Sequence, residues 1–247
     1  FGQPSSKNSE KVLNSINLVT KLALKKKIST IVTNPIDKNI IKKKKNFFDG
    51  HTFYIAKLLK VRNPVMLLAS PKIRVVPITQ HISLKEAIKS INKKAISSTI
   101  QITDKYLRTF FGINKPKIAV AGLNPHAGEK GMFGTEEKKI IEPAIKNIKK
   151  KFNVSGPYPA DTIFHKNYLK KFDVIICMYH DQATIPIKTL DFDNGVNLTL
   201  GLPIIRTSPD HGTALDIAGK GVASEKSLYS SIKISQDIAK RKKSWIQ

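Results

Sequence analysis

The histidines are the residues best able to do chemistry in this chain: His51, His81, His126, His165, His180 and His211. His81 follows the apolar run Val75-Val76-Pro77-Ile78-Thr79-Gln80, His126 follows the run ending at Ala121, and His180 follows the run at 174–178. Neutral imidazoles from three such junctions can hold a divalent ion and leave a position open for a substrate oxygen. No H-x-x-x-H or paired-cysteine spacing fixes that geometry, so hydrogen-bonding loop histidines explain the same residues. His51 and Thr52 stand just before an apolar-periodic stretch, where the N–H groups of a helix start favour an anion. An ordinary loop and N-cap fits them equally well. Lys188, Asn197 and Arg206 are donors close in sequence. The arginine fork suits phosphate or carboxylate, although solvated polar residues would read alike. Asp210-His211-Gly212-Thr213-Ala214-Leu215-Asp216 opens a stretch of small residues, through Gly221, that can pass close to a ligand. There is no G-x-G-x-x-G, so a Rossmann dinucleotide site is not indicated. His165 reads as a helical surface residue.

These side chains need elements to carry them. Apolar runs alternate with amphipathic stretches, the pattern of an α/β protein. Helices are expected at 11–26, with Val12, Ile16, Val19, Leu22 and Ala23 on one face, and at 52–60, 84–91, 97–111, 135–151 and 224–239. A shorter helical piece is expected at 161–168. Ser83 and Glu86 fit a capping box before the helix at 84–91. Strands are expected at 29–32, 65–69, 73–77, 117–121 and 173–178. In open α/β sheets, loops beyond the carboxyl ends of strands build the ligand crevice, and His81, His126 and His180 fall there.

Composition narrows the class. The chain has 247 residues, enough for one large domain or two modest ones. No window approaches the roughly 18 apolar residues of a membrane span. The start at Phe1 carries no basic-then-apolar signal pattern. Cys177 is the single cysteine. It reads as a small buried hydrophobe, and a disulfide framework is excluded, which favours the cytoplasm. The formal charge is +25. Its lysine clusters at 25–27, 42–45, 149–151 and 241–243 are scattered and not interleaved with aromatics. No zinc-finger, RNA-recognition or helix-turn-helix signature accompanies them. They read as solvated faces rather than a nucleic-acid surface, and they can still recruit an anionic substrate.

The chain resembles the 4-phosphohydroxythreonine dehydrogenase family of pyridoxal phosphate biosynthesis. The resemblance rests on Ile31-Val32-Thr33-Asn34-Pro35-Ile36-Asp37-Lys38, Gly50-His51-Thr52, the stretch 123–129, Gly134-Thr135-Glu136-Glu137, Gly156-Pro157-Tyr158-Pro159-Ala160-Asp161-Thr162, Tyr179-His180-Asp181-Gln182, and 197–221. It implies a two-domain α/β/α sandwich of the isocitrate and isopropylmalate dehydrogenase type, with the active site in the interdomain cleft at a dimer interface. The discontinuous cofactor-side domain would take residues 1–44 and 196–247, and the metal-binding, dimerising domain residues 45–195.

The resemblance also implies roles. His81, His126 and His180 would hold the metal, shared between the subunits of a homodimer: zinc foremost, with magnesium or cobalt as alternatives. His51, Thr52, Lys188, Asn197 and Arg206 would bind the substrate. His211, Gly212, Thr213 and Asp216 would bind NAD or NADP, and Asp181 would orient a ligand or relay a proton. The implied reaction is oxidation and decarboxylation of 4-phosphooxy-L-threonine to 3-amino-2-oxopropyl phosphate, CO2 and NADH. Phe53 stands where the family usually has Glu after Gly-His-Thr, and the family's N-terminal segment has no counterpart before Phe1. Alternatives are a sister dehydrogenase of a phosphorylated four-carbon sugar acid and a basic nucleic-acid-binding protein.

Overall fold

The computed structural model describes residues 2–42 and 48–243, the Lys243 side chain excepted. Most of the lysine cluster at 42–45 and the expected domain limit at 44/45 therefore lie outside the described residues. In chain order the elements are α1 (Ser9–Leu24), β1 (Thr30–Val32), α2 (Lys38–Lys42), α3 (His51–Leu58), β2 (Val65–Ala69), β3 (Arg74–Pro77), α4 (Leu84–Ser90), α5 (Lys93–Phe111), β4 (Ile118–Ala121), α6 (Glu142–Ile148), β5 (Val154–Tyr158), α7 (Lys166–Leu169), β6 (Val174–Cys177), α8 (His180–Asp191), β7 (Val196–Leu200), β8 (Ile205–Pro209) and α9 (Lys226–Lys243).

The chain parts into two compact units: residues 1–66 with 193–247, and residues 67–192. The limits expected from the sequence are 44/45 and 195/196. Helix α3 belongs with the first unit because Tyr54, Ile55 and Ala56 join one apolar cluster with Leu13, Ile16, Ile31 and Leu202.

In the first unit β8 lies between β1, parallel to it, and β7, antiparallel. Helix α9 covers β8, where the Thr207 hydroxyl donates to the Ser231 carbonyl at 3.0 Å. Helix α1 buries Leu13, Ile16, Thr20 and Ala23, a three-to-four residue spacing. Val12, Val19 and Leu22 of the expected face are only partly covered.

In the second unit the strand order is β2-β3-β6-β4-β5. β2 and β3 pair antiparallel, and the remaining pairs are parallel. β4 and β6 are buried along their whole length, as parallel strands covered on both faces should be. The Ser83–Glu86 capping box is present on α4. Helix α5 starts at Lys93, earlier than expected. The Asn92 side chain accepts from Ala95 N–H at 2.9 Å, and left-handed Gly112 closes the other end. Cys177 is fully buried in β6, and burial pushes its thiol pKa upward.

Candidate active site

β3, β6 and β4 are adjacent and parallel, so their carboxyl ends point the same way. His81 lies beyond β3, His180 opens α8 just after β6, and His126 lies in the loop after β4. Side chains lace these junctions together. The Thr79 hydroxyl donates to the Met178 carbonyl at 3.0 Å. Gln182 accepts from Met178 N–H at 2.7 Å and donates to the Gly122 carbonyl at 2.8 Å. The three loops are therefore held as one rim of the second unit.

The rings of His81 and His180 are 5.3 Å apart between centroids. Two imidazoles sharing a tetrahedral ion, each with a metal–nitrogen bond of about 2 Å, stand about 5 Å apart by the same measure. His180 Nδ1 lies 2.7 Å from Asp181 Oδ1. A carboxylate only accepts, so Nδ1 carries the proton, and in the neutral ring Nε2 keeps its lone pair for a ligand. Both histidines line a cavity of about 190 Å³ with Thr79, Ile82, Tyr179 and Asp181. The donor types and the spacing of this pair fit a zinc-class ion. His126 is not part of the pair: it is exposed, with Phe133 6.0 Å from its ring. Among the described residues of one chain, no three His, Cys, Asp or Glu side chains form a metal-holding group.

The His126 loop has an unusual backbone. His126, Ala127, Gly128, Glu129 and Lys130 are all left-handed, with φ between 37° and 78°. For residues with a Cβ that conformation costs roughly 1–2 kcal/mol each. His81 is also left-handed, at φ 51°. Strain of this kind persists only where neighbouring contacts enforce it.

The first unit holds a different chemistry. Arg206 is 4% exposed. Its guanidinium donates to Thr33 Oγ1 at 2.7 and 3.2 Å, to Thr199 Oγ1 at 3.1 Å and to Thr52 Oγ1 at 3.5 Å. Among the described residues no carboxylate pairs with it. Burial brings its pKa down to about 10. A buried cation held, among the described residues, by hydroxyls is suited to an incoming anion. His51, the first residue of α3, is pushed down to about 3 by burial, then by Arg206 and Lys38. Lys38 also reaches the turn before α3, where a side chain on Gly50 (φ 98°) would come within 3.1 Å of its Cε. Asn197 Oδ1 is buried with no hydrogen-bond partner among the described residues. A cavity of about 460 Å³, with Thr33, Asn34 and His51 in its wall, lies in the same unit.

Thus His51, Thr52 and Arg206 come together, and Asn197 lies on β7 beside β8. Lys188 is exposed on α8. His211, Gly212, Thr213 and Asp216 are exposed, and nothing lies within 4 Å of a Cβ built on Gly212. This stretch is open to a ligand but forms no closed cradle. His165 caps α7 rather than lying on a helical face, accepting from Asn167 N–H at 3.4 Å. Phe53 is 39% exposed.

A family profile described as "Pyridoxal phosphate biosynthetic protein PdxA" matches residues 1–235. The chain belongs to this family. It is 45% identical over 246 residues to the 4-hydroxythreonine-4-phosphate dehydrogenase of Bradyrhizobium diazoefficiens, covering 98% of this chain and 71% of that protein. The crystal structure of the Klebsiella pneumoniae protein of that name superposes with a TM-score of 0.86 at 40% identity, over 96% of this chain and 73% of that one. Isocitrate dehydrogenase from Methylococcus capsulatus matches at TM-score 0.50 and 14% identity, over 85% and 70% of the two chains, a likeness of fold alone. The expected dehydrogenase-type α/β fold is therefore present.

Sequence reasoning missed Thr33, Thr199, Lys38 and Gln182 as parts of these sites. Their signal was weak. A threonine or glutamine that braces another residue carries no spacing rule.

Proposed function

We propose that this chain is a metal-dependent 4-hydroxythreonine-4-phosphate dehydrogenase. It would oxidise the C3 hydroxyl of its substrate and release the carboxylate as CO2, with a nicotinamide dinucleotide as hydride acceptor. The observation that carries this reading is the His81–His180 pair with the His180 proton fixed by Asp181. The family membership supports the substrate, and the unpaired Arg206 cation supports its phosphate.

Bound zinc supplies Lewis-acid polarisation of the hydroxyl, and bound NAD supplies the hydride acceptor. His81 and His180 of one chain, with His126 of a second copy, would hold the metal. Asp181 keeps His180 in the ligating tautomer. Arg206, His51, Thr52 and Asn197 bind the phosphate end, with Lys188 as a further donor. Neutral His51 acts as a hydrogen-bonding group rather than a second buried charge. The residues 211–216 would meet the dinucleotide. Losing hydride and a proton turns the alcohol into a β-keto acid. Loss of CO2 and reprotonation then leave 3-amino-2-oxopropyl phosphate.

We assign residues 67–192 the metal-holding and dimerising role, and the remaining unit the cofactor side. The lone buried thiol of Cys177 suits the reducing cytoplasm. A second reading, oxidation of a phosphorylated four-carbon sugar acid, draws on Phe53, which lacks the carboxylate the family usually places beside Thr52. Steady-state comparison of the two substrates decides between them. At least a tenfold higher kcat/KM for the amino acid supports the first reading, and the reverse preference overturns it.

A further inference from the structure

Glu137 is a carboxylate only 3% exposed, with no ion-pair partner among the described residues. Its Oε1 accepts from the backbone N–H groups of Leu123 and Asn124, both at 2.8 Å. Its Oε2 accepts from Asn124 Nδ2 at 2.9 Å, and the same Nδ2 donates to Glu136 Oε2 at 2.8 Å. Charge-assisted bonds of this kind replace the water that a buried carboxylate loses.

The backbone gripped by Glu137 runs directly into the left-handed turn that carries His126. Its other end is held as well. Gly122 donates to the Tyr158 carbonyl at 2.7 Å and accepts from Gln182 at 2.8 Å. The turn then folds back over the carboxylate. A Cβ on Gly128 would sit 2.6 Å from Glu137 Oε2, and one on Gly134 would collide with the Asn124 side chain. Glu137 itself opens a π-helical turn, Glu137–Ile141, a local irregularity common at functional sites.

We propose that Glu137 is a positioning residue. By holding Leu123 and Asn124, it enforces the left-handed turn that presents His126 to the metal. The inference rests on the metal reading given above. The carboxylate is needed at both oxygens: an amide would keep the acceptor for Leu123 and Asn124 but turn an N–H towards the donating Asn124 side chain.

The test uses full-length Glu137→Ala, Glu137→Gln and Gly128→Ala, with His126→Ala alongside. Zinc affinity is measured by chelator competition, and amide hydrogen exchange is followed across 122–131. Glu137→Ala should lose roughly 10–100-fold in zinc affinity and exchange rapidly at Leu123 and Asn124 while β4 and β6 stay protected. Glu137→Gln should recover part of both losses. Gly128→Ala, which crowds Glu137 Oε2 and strains the left-handed turn itself, should repeat the zinc loss, and Glu137→Gln serves if Glu137→Ala does not fold. Parental zinc affinity in Glu137→Ala or Gly128→Ala, with affinity lost in His126→Ala, would overturn the positioning role alone. Parental affinity in His126→Ala would overturn the metal assignment and this inference with it.

Discussion

Asp181 Oδ1 accepts from the Nδ1 of His180, its neighbour on the first turn of α8, at 2.7 Å. The contact fixes the tautomer of a metal-ligand candidate using a side chain that is 69% exposed. Asp181→Asn keeps an oxygen acceptor but removes the charge, and Asp181→Ala removes both. Zinc affinity is expected to fall in that order, by roughly 10–100-fold for the alanine variant. Thermal stability should change little, within about 0.5 kcal/mol, because surface substitutions rarely do more. Equal zinc affinity in all three proteins would contradict the assignment.

Arg206 sits in the middle strand of its unit and reaches Thr33 and Thr199 on either side. Arg206→Lys keeps a cation but loses the planar fork. A charge-assisted hydrogen bond contributes about 1.5–3 kcal/mol. KM for the phosphorylated substrate should therefore rise roughly 10–100-fold, with a smaller effect on a dephosphorylated analogue. Steady-state kinetics on both compounds checks this, and equal effects on the two would remove Arg206 from the phosphate site.

His51 supplies a pH dependence. Its pKa is about 3 in the folded chain against an ordinary 6.5, depressed by burial and by the charges of Arg206 and Lys38. Between these values the unfolded chain binds the extra proton, so stability must fall as pH drops from 6.5 towards 3. The slope from this one group is at most about 1.4 kcal/mol per pH unit. His51→Gln should flatten the denaturation midpoint over that window, and inorganic phosphate should raise the His51 pKa, which NMR titration reads directly. A midpoint with the same pH profile in His51→Gln would refute the buried neutral imidazole.

Cys177 should be inert. It is fully buried in β6 with its pKa raised, so no thiolate is available. A thiol reagent should label it only on unfolding, and native labelling with loss of turnover would contradict the packing.

Much of this was legible in the sequence. The capping box at Ser83 and Glu86 and the buried strands at 65–69, 73–77, 117–121 and 173–178 follow from period and side-chain type. The strand-end positions of His81 and His126 follow with them. Helix α8 was not legible, because Pro186 interrupts its pattern and the short run after His180 looks like a loop. β7 and β8 were missed because polar residues interrupt their apolar pattern, and three of these, Thr199, Arg206 and Thr207, face bonding partners rather than apolar neighbours. The left-handed turn at His126 carries only Gly128 as a backbone signal. Ala127, Glu129 and Lys130 there have no preference for that conformation, and it takes the tertiary contacts of Glu137 to impose it.

A metal shared between copies is tested most directly by subunit complementation. His81→Ala and His126→Ala are each purified alone, then co-expressed and assayed with zinc, NAD and 4-phosphohydroxythreonine. Each variant alone should be inactive. Random reassortment should restore about a quarter of parental turnover, because half the dimers regain one intact site of two. Inactive mixtures, or full activity in either variant alone, would contradict the shared site.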